Sequence, residues 1–188
     1  MLSLAYPLEN EIEIDGVNYQ VNLSFDNVIR LYDLLQDNEI DDITQVETAL
    51  IMLLETELVC DLEAKSEILN TIFTEMIASS KAKEVPVDIK GNPMPSNTTS
   101  EEANYSLKQD AAFIYASFMQ DYGIDLIEQQ GKLDWRKFLA LLDGLRGDTR
   151  FKEVMEIRNM ELPTGKGTEK QRQAVIKMKE AYKLKKEI

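Results

Sequence analysis

Between Leu133 and Ile157 the apolar residues keep helical spacing, and two glycines interrupt it. Leu133, Trp135, Phe138, Leu139, Leu142 and Leu145 fall on one helical face, and Gly144 and Gly147 end that run. Asp148 is then placed to cap a second run that carries Phe151, Val154, Met155 and Ile157. Trp135 is the sole tryptophan, and a side chain of that size is buried only where several elements converge on it. The stretch from Gln120 to Arg158 therefore predicts two packed helices around a Trp anchor, which commits the chain to a mainly α fold.

The N-terminal pattern has a different period. Ile12 and Ile14, then Asp15-Gly16, then Val17, Tyr19, Val21 and Leu23 alternate with polar residues. Asp-Gly between two alternating runs predicts a hairpin, because a two-residue primed turn needs positive φ at both positions. A lone hairpin is marginal, so it is expected to lie on the helices or to gain a strand from a neighbouring copy.

Three helical patterns follow. Ser24 is the expected cap of a helix from Phe25 to about Gln36, with Val28, Leu31, Tyr32 and Leu35 as its stripe. Asp42 and Gln45 have capping-box spacing ahead of a helix to about Glu57, and a third helix is expected from about Asp61 to Ala78. From about 79 to 102 the prolines, Gly91 and a Ser/Thr/Asn cluster leave no period, which predicts a mobile loop. Periodicity resumes over Tyr105 to Tyr122.

After Pro163 comes a glycine-marked joint, and Thr168 is the expected cap of a last helix. Ala174, Met178, Ala181, Leu184 and Ile188 form its apolar stripe, with Lys177 and Lys183 among the cations beside it. The expected architecture is a mainly α domain over 1–163, with an N-terminal β-hairpin and a helical bundle, then a linker and a basic amphipathic helix over 164–188. The C-terminal stripe is the candidate partner-binding surface, since the segment has little apolar surface of its own to order it.

Charge separates the same two parts. The chain carries a formal −13, yet residues 164–188 hold eight lysines and arginines against three glutamates. Residues 1–163 are thus strongly acidic and repel nucleic-acid phosphates, so no nucleic-acid partner is expected. The tail has Tyr182 as its one aromatic and lacks the interleaved rings of a single-strand platform. An acidic protein surface, including a sister subunit, suits it better, and self-association is expected.

No apolar run reaches the roughly 20 residues of a membrane helix, and Met1 to Asn10 lacks the pattern of a signal peptide. The expectation is a protein of the host cytoplasm with no membrane partner. Cys60, the single cysteine, cannot form an internal disulfide and reads as a small buried hydrophobe.

Enzymatic readings find little support. Histidine is absent, which removes the commonest general base and transition-metal ligand. Asp37, Glu39, Asp41 and Asp42 crowd one turn, but an EF-hand register from Asp37 puts Asp42 where Gly is needed and Thr48 where Glu is needed. Gly165-Lys166-Gly167-Thr168 lacks the rest of a phosphate loop. No catalytic, cofactor or metal residue is assigned, and a binding role is expected.

The chain also carries an ordered series of short words. They are Asp121-Tyr122-Gly123-Ile124-Asp125-Leu126, Asp134-Trp135-Arg136-Lys137-Phe138 with Leu141-Leu142 and Gly144-Leu145, then Asp148-Thr149-Arg150-Phe151 and Ile157-Arg158. Nearer the N-terminus stand Ile14-Asp15-Gly16, Ser24-Phe25-Asp26-Asn27-Val28-Ile29-Arg30 and Leu34-Leu35-Gln36-Asp37. In order and spacing the series resembles the "gp fifteen" tail protein family of long-tailed bacteriophages and prophages, over most of residues 1–160.

That resemblance implies a role in tail morphogenesis like that of a tail assembly chaperone. Such a protein binds and shields the long helical tape-measure protein until tube subunits arrive, so the implied partners are the tape-measure protein, the tail tube protein and further copies of the chain. Head-to-tail copies along a client would form an open spiral or filament. A chaperone would be absent from the finished virion. A structural component of the particle, such as a connector or tail completion protein, is the alternative with the same composition.

Overall fold

The computed structural model describes residues 2–78, 104–165 and 167–185. It is mainly helical, with a two-stranded antiparallel hairpin ahead of the helices: β1 (Glu11–Ile14), β2 (Val17–Gln20), α1 (Phe25–Gln36), α2 (Asp42–Leu54), α3 (Leu62–Ile72), α4 (Ala111–Tyr122), α5 (Trp135–Asp143), α6 (Arg150–Asn159) and α7 (Glu169–Ala181). The loop expected over about 79–102 lies outside the described residues. Backbone contacts divide the chain into two units. Among the described residues the first unit takes the chain up to α3 and its continuation, together with residues 127–140; the second takes residues 104–126 and those from Leu141 on.

In the first unit the hairpin closes as the sequence predicts, with Asp15 at φ 50° and Gly16 at φ 78°, and Ile14 paired with Val17. The chain leaving β2 stays extended. Asn22 N–H donates to the Leu53 carbonyl at 2.7 Å, and Trp135 N–H to the Leu23 carbonyl at 2.7 Å, which ties the end of α2 and the start of α5 to one short segment. Around it the buried core comprises Val28, Leu31, Leu53, Ile72, Trp135 and Phe138. Phe138 stacks on Phe25 at 4.9 Å between centroids and on Trp135 at 5.7 Å, and Tyr32 contacts both Trp135 and Phe73. Trp135 is 4% exposed, and its indole N–H donates to the Ile77 carbonyl at 3.0 Å. That bond satisfies the one polar group the ring takes into the core.

The same carbonyl belongs to a π-helical turn, Phe73–Ile77, which continues α3 where one uniform helix was expected. Ala78 N–H closes it on the Phe73 carbonyl at 2.6 Å, five residues back. The wider turn inserts one residue of phase, so side chains after Ile72 point differently from a continued α-helix.

Two caps of this unit differ from the sequence expectation. Asp41, not Asp42, caps α2: its extended backbone lets the carboxylate accept from Thr44 N–H at 3.1 Å and from the Thr44 hydroxyl at 2.7 Å. Ser24 stands at the start of α1 without a side-chain cap bond and donates instead to Asn22 Oδ1 at 2.8 Å. Helix α2 also ends three residues early, with Glu55 in the left-handed region at φ 54°.

The second unit centres on α4 and α6. Ile114, Phe118, Leu142, Leu145, Phe151 and Val154 are buried, and so are Asp110, Ser117 and Thr149. Helix α4 starts at Ala111, later than the expected Tyr105, because Ser106 and Asp110 close a turn there first: Ser106 N–H donates to Asp110 Oδ2 at 3.0 Å. At α6 the cap position falls on Thr149, whose hydroxyl donates back to the Arg146 carbonyl at 2.7 Å. Asp148, the expected cap, faces outward beside Arg146.

Candidate functional site

Helix α7 carries the sequence-predicted surface, and none of its residues is buried. It ends at Ala181, short of the chain terminus, and Thr168 at its start makes no capping bond through its side chain. The hydroxyl of Thr168 donates to the Gly165 carbonyl at 2.9 Å instead. Val175, Lys179 and Tyr182 are half-buried and mark the side that packs within the second unit, whereas Ala174, Met178 and Ala181 are exposed. Lys177 and Lys183 are exposed too; Leu184 is half-buried past the helix end, and Ile188 lies outside the described residues. The structure thus puts Ala174, Met178 and Ala181 together as one solvent-facing strip.

What holds α7 is a set of contacts on Tyr182 that periodicity did not reveal. The Arg150 guanidinium lies 5.2 Å from the Tyr182 ring centre and 5.6 Å from that of Phe113, and it donates to the Tyr182 hydroxyl. Phe113 meets Tyr182 edge-on at 6.1 Å. Arg158 Nε donates to the Tyr182 carbonyl at 2.6 Å, which ties down the helix C-terminus, where unsatisfied carbonyls favour a cation. Gln109 adds two bonds to the backbone of Lys185.

Arg158 also forms a two-pronged pair with Asp110, at 2.7 Å from each guanidinium nitrogen to a carboxylate oxygen. The side chains are only 7% and 1% exposed. Water can do little for either charge at that depth, so each depends on the other and on its further bonds, Ser106 N–H to Asp110 and Arg158 to the Asn104 carbonyl at 3.0 Å. Sequence reading noted Ile157-Arg158 as a word and gave it no partner; the one available signal was a cation at helical phase with the buried Val154.

The carboxylates of Asp134 and Asp121 are held ionised by their partners. Burial works against the charge of Asp134, but bonds from Arg136 and Asn10 outweigh it and lower its pKa below the ordinary value. Asp121 is lowered chiefly by accepting Arg146 N–H at 2.8 Å and then by its bond from the Arg146 side chain. The acidic turn at Asp37 to Asp42 serves the backbone: Asp37 Oδ1 accepts from Glu39 N–H, and Asp41 caps α2. Among the described residues no three carboxylates or thiols converge as a metal site, and no helix is long and apolar enough to cross a membrane.

The arrangement defines a mainly helical protein in which a Lys-bearing helix is pinned by arginines with one face left to solvent. The chain belongs to the Bacteriophage Gp15 protein family, whose model matches residues 5–184. The match thus runs past residue 160, where the legible words end, and takes in α7. No curated protein and no solved structure matches the chain.

Proposed function

We propose that this protein is a tail assembly chaperone that binds and shields the tape-measure protein while the tail is built. The observation that carries the reading is the match to the Bacteriophage Gp15 protein family over residues 5–184. Its physical support is a formal charge of −13, which keeps a protein soluble while it holds apolar surface available, and an exposed small-residue strip on α7. The role is binding without chemistry, carried out in the host cytoplasm, with several copies lined along one client and displaced as tube subunits arrive.

Helix-in-groove contacts suit such a client, because a long amphipathic helix repeats the same apolar stripe many times. Co-expression with the tape-measure protein of the same phage is expected to raise the client's soluble yield and to give a complex on affinity purification. The complex is expected to persist well above 0.15 M salt, where the Debye length falls below about 8 Å and exposed ion pairs are screened. An acidic protein acting through charge alone would release the client there. Mass spectrometry of purified particles decides the other reading: stoichiometric recovery of the chain would make it a structural component of the virion.

A further inference from the structure

An open groove of about 550 Å³ lies in the first unit between β1 and the face of α3 that runs on into the π-helical turn. Its rim carries five exposed carboxylates, Glu11, Glu13, Asp15, Glu67 and Glu75, and among the described residues its lining includes no cation. Half-buried Ile12, Ile14, Ile68 and Met76 make the floor. The π turn contributes Glu75 and Met76, so the phase change after Ile72 helps to shape this wall. An acidic rim over an aliphatic floor is the complement of a narrow apolar helix face flanked by lysines.

This chain has such a face. On α7, Ala174, Met178 and Ala181 follow one another at steps of four and three, and Lys170 and Lys177 border them on the same side. Alanines at two of the three positions let a helix approach closely, and Met178, 37% exposed, provides one adaptable apolar knob. The contacts of Tyr182 with Arg150 and Arg158 pin α7 by another side and leave this one open.

We infer that the groove between β1 and α3 receives α7 of a second copy of this chain. Groove and helix are different surfaces, so the contact is heterologous. Each copy that gives its helix still offers its groove, and the assembly is open-ended unless its rotation closes a ring. The inference rests on the two surfaces and not on the tape-measure reading; a chain could assemble this way and still fail to bind that client.

A charge swap tests it on the full-length protein. Light scattering and sedimentation at low salt are expected to show species larger than a monomer for the unaltered chain. Glu13→Lys with Glu67→Lys in the groove, or Lys170→Glu with Lys177→Glu on α7, is expected to give monomer. All four changes on one chain are expected to restore the larger species, a recovery that misfolding cannot imitate. Cys60 adds a positional check, because the chain's one thiol lines the groove. Wild-type chain mixed with a Cys60→Ser, Met178→Cys variant and oxidised with diamide is expected to give a disulfide-linked heterodimer on a non-reducing gel. A monomeric unaltered chain, a charge variant that keeps its full assembly, or a mixture that links only Cys60 to Cys60 would overturn the inference.

Discussion

In the first unit a buried polar atom belongs to an indole that needs one acceptor, and rings meet it on two sides: Phe138 stacked at 5.7 Å and Tyr32 tilted at 6.0 Å. In the second unit a full carboxylate and a full guanidinium are taken almost out of water together, Asp110 with Arg158. Apolar burial contributes free energy with little demand on direction, whereas a buried ion pair roughly offsets its own desolvation and contributes mainly by fixing one arrangement. The first unit is thus built for stability at the place where β2, α2 and α5 meet. The second spends polar groups on position, and what it positions is the C-terminal end of α7.

The largest test of that contrast pairs two truncations. Trp135→Ala removes the ring shared by Tyr32 and Phe138 and strands the Ile77 carbonyl, and it is expected to cost about 3 to 5 kcal/mol in chemical denaturation. Arg158→Met leaves Asp110 charged and buried, and it is expected to cost about 3 to 5 kcal/mol as well. The difference lies in rescue. Adding Asp110→Leu to Arg158→Met is expected to recover much of the loss, though not the bonds to Ser106 and Tyr182, because an apolar pair no longer has a charge to desolvate. No second change near Trp135 refills so large a volume. Equal losses for the single and the double variant would show that Arg158 acts through packing, and the two units would then differ less than their chemistry indicates.

A smaller effect is expected at Ser117, which is fully buried where α4 meets α6. Its hydroxyl donates to the Phe113 carbonyl at 2.7 Å and accepts Phe151 N–H at 2.9 Å, in the first turn of α6. A helix start has N–H groups with no partner of their own, and Thr149 does not provide a side-chain cap here. Ser117→Ala is expected to leave the Phe151 N–H unsatisfied at a cost of about 1 to 3 kcal/mol, with hydrogen exchange rising first at Phe151. Uniform exchange across α4 and α6 would argue against so local a role.

Where the sequence was informative, the information was local. The hairpin could be read because Asp15-Gly16 needs only its own backbone conformation, and α1 ran over the expected residues because its stripe and boundaries lie within one segment. Ser24 and Thr168 stand at the expected cap positions without making a side-chain cap bond, and the α2 cap was read to within a residue: Asp41 and Asp42 are chemically alike, and which one caps depends on where the chain turns. Asp110 and Arg158 stand 48 residues apart, so nothing in either segment announces the pair. Cys60 was expected to be buried as a small hydrophobe and is half-buried, because it lines the open groove between β1 and α3. On α7 the Ala174, Met178 and Ala181 strip was visible as periodicity, but its anchoring through Tyr182 depends on arginines from another helix. The division of contacts at residue 140, inside α5, left no mark in composition.

The finest comparison is between two of the depressed carboxylates, Asp134 in the first unit and Asp121 in the second. Both have a folded pKa below the unfolded value of about 3.9, so each contributes stability that is fully present above that value and is lost as pH falls through the folded pKa. Asp134→Asn and Asp121→Asn are therefore expected to be less stable than wild type at pH 7, with gaps that hold to about pH 5 and close below about pH 4. Protonating the many surface carboxylates relieves repulsion over the same range, and it does so alike in variant and wild type, so the gap isolates one group. Salt separates the two sites. Arg146, the partner of Asp121, has a side chain 64% exposed, while Arg136, the partner of Asp134, is 13% exposed. Raising ionic strength from 0.05 to 1 M shortens the Debye length to about 3 Å and is expected to shrink the Asp121 gap while the Asp134 gap persists. If both gaps shrink together in thermal melts, Asp134 is held by screened charge and not by its bonds from Arg136 and Asn10, and the two units treat their carboxylates in the same way.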